Sequence, residues 1–165
     1  MGADSTVKWP VGTGANGNDG VAGAIKQTDG SIGYVELAYA LQSDFTSANV
    51  QNSSGNFIPP SLASSQAAAA NVKVPPNLGI ISVNAPGADA YPIASATHIM
   101  VYKDMCKAGL SQTDAQNVVG FLDYALGDGQ GVATKLDYAG DPSQLLSKAR
   151  QAVSGLECNG QPISG

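Results

Sequence analysis

Residues Gly12 to Gln42, GTGANGNDGVAGAIKQTDGSIGYVELAYALQ, limit the possible folds of this chain more than any other stretch. Gly12, Gly14 and Gly17 make a dense turn. Asn18 is a suitable N-cap, and Asp19 suits the positive end of a helix. Val21, Ala24 and Ile25 then recur at helical spacing as far as Thr28. Asp29-Gly30 marks a turn. Ser31 to Val35 reads as a buried strand, and Glu36 to Gln42 returns to a helical period through Leu37, Ala40 and Leu41. Helix, strand, helix is the alternation of an α/β protein.

The remaining segments extend that pattern. Trp9 precedes Pro10, so residues 1–11 read as an extended lead-in. Phe45 to Phe57 reads as a β-ribbon turning at 52–55, stopped by Pro59-Pro60. Ser61 caps a helix through Ala67–Ala70 that is over by Pro75-Pro76. Gly79 to Val83 reads as a short strand, and Asn84 to Asp89 as a loop. Tyr91 to Tyr102 reads as a second strong strand. Ile93, Ser95, Thr97, Ile99 and Val101 take one face, and Ala94, Ala96, His98 and Met100 the other. Ser111 with Asp114 starts a helix whose apolar face is Val118, Val119, Leu122, Ala125 and Leu126. The glycines from Gly127 to Gly131 break it, and a short segment through Val132 and Leu136 follows. Asp141 caps a last helix with Pro142 at its first position. That helix runs through Leu145, Leu146, Ala149 and Val153 to Gly155, leaving Cys158 in a tail.

Composition excludes several functions. Eight basic residues against thirteen acidic ones give a net charge of −5, and the basic residues do not cluster, so no nucleic-acid partner is expected. Apolar runs are far shorter than a membrane span. Only 13% of residues are charged, a composition suited to a secreted or surface protein. Met1-Gly2 leads directly into polar residues with no signal-peptide pattern. The chain is thus expected either to stay inside the cell or to have its natural N-terminus elsewhere. Cys106 and Cys158 permit one disulfide, with free thiols equally open on this ground. A bridge would close a loop of roughly 50 residues, worth about 4 kcal/mol in the chain-entropy account.

Motifs for chemistry are sparse. Gly12, Gly14 and Gly17 satisfy GxGxxG, and Glu36 follows at about the dinucleotide-binding distance. However, VKWPV with Pro10 makes a poor strand before them, so no dinucleotide is expected. The P-loop and the GxSxG elbow are absent. No carboxylate pair suggests acid–base work, and His98, with no nucleophile pattern near it, reads as a core or edge histidine. One histidine and two cysteines make no metal site. Helix amides at Asn18 to Gly20 could hold an anion, although an ordinary capped start explains them better. Asn52-Ser53-Ser54 matches a glycosylation sequon, a match common by chance.

The stretch from Gly12 to Gln42 closely resembles the phosphate-binding protein of the high-affinity phosphate ABC transporter, the PstS family. YPIASATHIMVYKD resembles that family's return crossing between lobes, and FLDYALGDGQGVATKLDYAGDP its C-terminal helices. The resemblance runs from about residue 7 to 163. It implies an α/β, periplasmic-binding-protein type II-like fold: two lobes with phosphate buried in the cleft, exported and non-catalytic, without cofactor. Only the C-terminal half of the two-lobe protein is matched. Residues 1–88 would be part of lobe two, and 89–165 the return crossing and the C-terminal part of lobe one. Cys106 and Cys158 stand where secreted relatives carry a bridge, so the resemblance implies a disulfide between them.

The resemblance also implies what grips the ligand: backbone N–H groups, hydroxyls, an arginine and an acidic acceptor. A dry cleft strengthens such charge-assisted bonds, and the acidic acceptor admits a protonated oxyanion while rejecting sulfate. The family's Arg…Ser-Gly-Thr loop has no counterpart here, and the only arginine is Arg150. No direct phosphate ligand therefore carries over, and catalytic and metal residues are none. The expected partners are inorganic phosphate, held together with the N-terminal half, and the phosphate ABC permease. Two rival readings are a structural or interaction half-domain without ligand and, more remotely, a dinucleotide-binding enzyme.

Overall fold

The computed structural model describes residues 7–163. The first part of the lead-in, where a signal peptide was sought, lies outside the described residues. The chain forms two compact units, one up to Thr46 and one from Ser47.

In the first unit, α1 spans Gly17–Gln27 and α2 spans Leu37–Gln42. The N-cap of α1 is Asn16, not Asn18, and the Asn16 carbonyl accepts from the Gly20 N–H at 3.1 Å. The Asn18 side chain has another partner: its Oδ1 accepts from the Glu36 N–H at 2.8 Å. Glu36 is the N-cap of α2, so Asn18 ties the two helix starts together. Residues 31–35 are not a buried strand. They are extended but unpaired, and Ile32 is 98% exposed. Ser31 and Val35 are half-buried, and a Cβ at Gly33 would lie 2.6 Å from Ile25 Cδ1 and 3.2 Å from Val21 Cγ1. The alternation expected from Gly12 to Gln42 thus keeps its helices and loses its strand, because a strand needs a neighbour.

The second unit opens with the expected ribbon. β1 (Val50–Gln51) pairs antiparallel with β2 (Phe57–Ile58) around the turn 52–55. Asn52 in that turn is buried. Its Nδ2 lies 2.9–3.1 Å from the carbonyls of Gly87, Ala88 and Ala90. Its Oδ1 accepts from the Ser54 and Asn56 N–H groups at 3.0 and 3.1 Å. The sequon is therefore a structural joint whose amide nitrogen is already engaged. α3 (Leu62–Ala70) starts with a Ser61–Ser64 capping box, and Ala68 packs with Ala85, Ala90 and Ala94. Alanines bury little area, so hydrogen bonds do much of the holding. Ser82 Oγ donates to the Ala94 carbonyl at 2.9 Å, and Ser53 Oγ to that of Ala85 at 3.2 Å.

Both strands expected beyond α3 are missing. Residues 79–83 and 91–102 meet in a single bridge, Val83 with Ile93. After that bridge the chain runs unpaired to Tyr102, with Met100 94% exposed. His98 is exposed, not a core or edge-paired residue.

α4 (Gln112–Leu126), α5 (Gly129–Lys135) and α6 (Ser143–Val153) follow. Ser111 caps α4 as expected, accepting from the Asp114 N–H at 3.1 Å and donating to Asp114 Oδ2 at 2.6 Å. The N-cap of α6 is Pro142, one residue later than expected. Met105, Ala115, Val119, Leu122 and Leu156 form the core there, with Val153 and Ile163 against it.

Cys158 does not lie in a loose tail. β3 (Glu157–Cys158) and β4 (Gln161–Pro162) form a hairpin, and Asn159 and Gly160 turn it with φ of 53° and 77°. The Cys106–Cys158 disulfide joins this hairpin to the loop before α4. Beside it, Asp104 accepts from the N–H groups of Lys107, Asn159 and Gly160 at 3.1, 2.9 and 2.8 Å. The Lys107 ammonium pairs with it at 3.1 Å. Desolvation pushes the Asp104 carboxyl up, but the bonds from Lys107, Asn159 and Gly160 outweigh it and bring its pKa down to about 2.

Asn52→Ala is expected to lower unfolding stability by about 3 kcal/mol in urea, because it strands the buried Ala90 carbonyl together with four part-buried backbone groups. Asp104 titrates lower in the folded chain than its ordinary 3.8. Its stabilising share is therefore complete above pH 3.8 and is lost as pH falls through about 2. Thermal melts followed by helical ellipticity should show a smaller loss between those pH values in Asp104→Asn than in the parent chain.

Candidate functional site

The glycine turn was the first candidate. Gly12 and Gly17 take positive φ, and Gly17 opens α1. Residues 7–11 before the glycines form no strand, so the strand–turn–helix context of a dinucleotide site is not met. The Asn18 carboxamide, at the mouth of the helix, is engaged with the Glu36 amide.

Arg150 is the second. It lies on α6, and its Nη2 donates to the Leu126 carbonyl at the C-terminal end of α4. A cation at that end satisfies an orphan carbonyl and the helix dipole together. Its charge therefore serves packing of α6 on α4.

Among carboxyls, Asp141 is half-buried, and that burial raises its pKa against a weaker opposing bond from Gln130. Gln130 Oε1 accepts from the Asp141 N–H at 2.8 Å, and Gln130 Nε2 donates to the Ala125 carbonyl at 2.8 Å. This network joins α4, α5 and the start of α6. It brings no nucleophile to the carboxyl. Among the described residues no three of His, Cys, Asp and Glu come together as a metal centre. A shallow hollow of about 270 Å³ lies between the start of α4 and the C-terminal hairpin. Its polar walls are Gln112, Gln116, Asn159 and Gln161, with no charge to hold an ion.

What the chain offers instead is surface. Ile32 and Tyr34 in the first unit are exposed. So are Ile81, Val83, Ile93, Ile99, Met100 and Tyr102 in the second. Their segments are extended and, among the described residues, unpaired beyond one bridge. Apolar residues on both faces of an extended run are the signature of an interior sheet strand covered on both sides. Exposed apolar segments of this kind are a common mark of interaction sites.

The C-terminal clasp was missed from sequence, although a signal was there. Asn159-Gly160 is the strongest short hairpin dipeptide, and it adjoins Cys158. The hold of Asn52 on the carbonyls of Gly87, Ala88 and Ala90 had no such local sign, because those partners lie more than thirty residues away.

A family model described as a PBP superfamily domain matches residues 6–128. The phosphate-binding protein PstS of Pasteurella multocida is 37% identical over 150 residues, covering 90% of this chain and 42% of that protein. The PstS of Haemophilus influenzae is 38% identical over 151 residues, covering 89% and 43%. That of Methanocaldococcus jannaschii is 33% identical over 143 residues, covering 79% and 37%. The chain thus spans about two-fifths of the length of these relatives. No helix among the described residues is long and apolar enough to cross a membrane. With a family model matched over most of its length, the chain belongs to the PBP superfamily.

Proposed function

We propose that this chain is the C-terminal part of a non-catalytic, extracytoplasmic protein that binds inorganic phosphate for uptake through an ABC permease. The observation that carries this reading is the set of relatives aligned over about nine-tenths of the chain, each named phosphate-binding protein PstS. The unpaired apolar segments support it, because they are what a partial two-lobe fold leaves uncovered. The engagement of Arg150 with α4 supports the further point that the gripping arginine lies on polypeptide outside this chain. The disulfide fits an oxidising compartment.

In this reading residues 1–88 belong to lobe two. Residues 89–165 cross back and complete lobe one. The chain supplies walls, and Cys106–Cys158 keeps the end of lobe one closed. No phosphate ligand is assigned to a side chain of this sequence.

Calorimetry with inorganic phosphate is expected to give no binding heat on this chain alone, and heat once the N-terminal portion is added. Phosphate bound tightly by this chain unaided would refute the division of labour. Amide exchange supplies a second check. Residues 31–35 and 95–102 should exchange at near-unstructured rates in the chain alone and slow by about tenfold or more on assembly.

A further inference from the structure

The sequence holds two Asn-Gly pairs, Asn16-Gly17 and Asn159-Gly160, and both are exposed. Such a pair rearranges because glycine leaves the following backbone nitrogen unhindered. That nitrogen loses its proton and attacks the asparagine Cγ. A C–N bond closes a five-membered succinimide, and the side-chain nitrogen leaves as ammonia. Water from solvent then opens the ring to aspartate or isoaspartate. The reaction needs the glycine amide free to ionise and free to swing toward the side chain.

The two pairs differ in that amide. The Gly17 N–H lies in the first turn of α1, where a helix amide has no intrahelical acceptor. The Gly160 N–H donates to Asp104 Oδ2 at 2.8 Å, and the Asn159 N–H donates to Asp104 Oδ1 at 2.9 Å. The disulfide at Cys158, next in sequence, holds the turn against the Asp104 loop. The backbone bridge between Asp104 and Glu157 adds to this hold, with the Met105 N–H on the Glu157 carbonyl at 2.9 Å.

We infer that Asn159-Gly160 is a deamidation site which Asp104 keeps silent, by holding the attacking amide in a charge-assisted bond while the disulfide keeps the turn in place. The bond makes ionisation of the Gly160 amide harder, since the nitrogen would become negative beside a carboxylate. It also restrains the swing of the peptide that attack on the Asn159 side chain requires. The same carboxylate is a poor base for the reaction, because its proton affinity is low, with a pKa of about 2. Conversion of Asn159 would place a second negative charge beside Asp104. The change would therefore loosen the clasp that had prevented it.

The test follows isoaspartate at residues 159 and 16 by peptide mass mapping of the full oxidised chain at mildly alkaline pH. Asn159 should convert about tenfold more slowly in the native chain than in urea. Asp104→Ala should remove most of that protection and leave Asn16, in the other unit, unchanged. Asp104→Asn, which retains one acceptor oxygen, should fall between. Equal rates at Asn159 in the parent chain and in a folded Asp104→Ala would overturn the inference. Should the alanine variant unfold, exchange of the Gly160 amide in the parent chain decides. Protection of that amide well above that of the Gly17 amide supports the inference, and its absence refutes it.

Discussion

Residues 32–35 and 95–102 carry backbone N–H and C=O groups that, among the described residues, meet no partner strand. An unpaired backbone group is tolerable only in water. These segments therefore stay at the surface and take their apolar side chains with them. Ile32, Tyr34, Met100 and Tyr102 are exposed for that reason, even though their own chemistry favours burial. The helices are largely free of this constraint, because each satisfies the backbone of its interior within itself. They form, and the segments between them remain extended.

Where extended chain does become buried, side chains replace the missing ladder. Asn52 meets three carbonyls and two amides. Ser82 and Ser53 each take one carbonyl more. The bonds from Asn52 Nδ2 and Ser53 cross more than thirty residues and that from Ser82 crosses 12, and together they fix the loop from 82 to 94 against the β1–β2 turn. The alanines beneath them contribute only about 0.8 kcal/mol per buried methyl-sized group. Polar pairing thus sets the geometry of that region, and apolar packing fills it. Around Met105 the balance is reversed: a larger apolar core is closed by a disulfide and by Asp104.

That division explains which features could be read from the sequence. α4 was legible because Ser111, Asp114 and the apolar run after them act within one helix. α3 was legible from Ser61 and the alanines, and the 50–58 ribbon from its own turn. The strands at 31–35 and 91–102 had the right alternation, but being a strand depends on a neighbour that no local pattern reports. His98 was misplaced with its strand. The Asn18 error was of another kind. Both Asn16 and Asn18 suit a helix start, and the choice fell to Asn16 because the Asn18 side chain binds Glu36, eighteen positions on. The family resemblance supplied the Cys106–Cys158 pairing. The hairpin that presents Cys158 was legible in Asn159-Gly160 and was passed over.

The exposed segments also bear on how such a chain acts. Covering a large apolar side chain is worth about 1.5–3 kcal/mol. Ile32, Tyr34, Ile93, Ile99, Met100 and Tyr102 together could therefore drive assembly strongly, against the entropy of ordering their backbones. Added strands would satisfy the backbone groups in the same step, so pairing and covering would occur together. A cleft built this way exists only after assembly. In the reading proposed above, the affinity for phosphate and the affinity between the two portions of the protein are then linked. Each would strengthen the other by the same factor, as any two equilibria that share a bound state must.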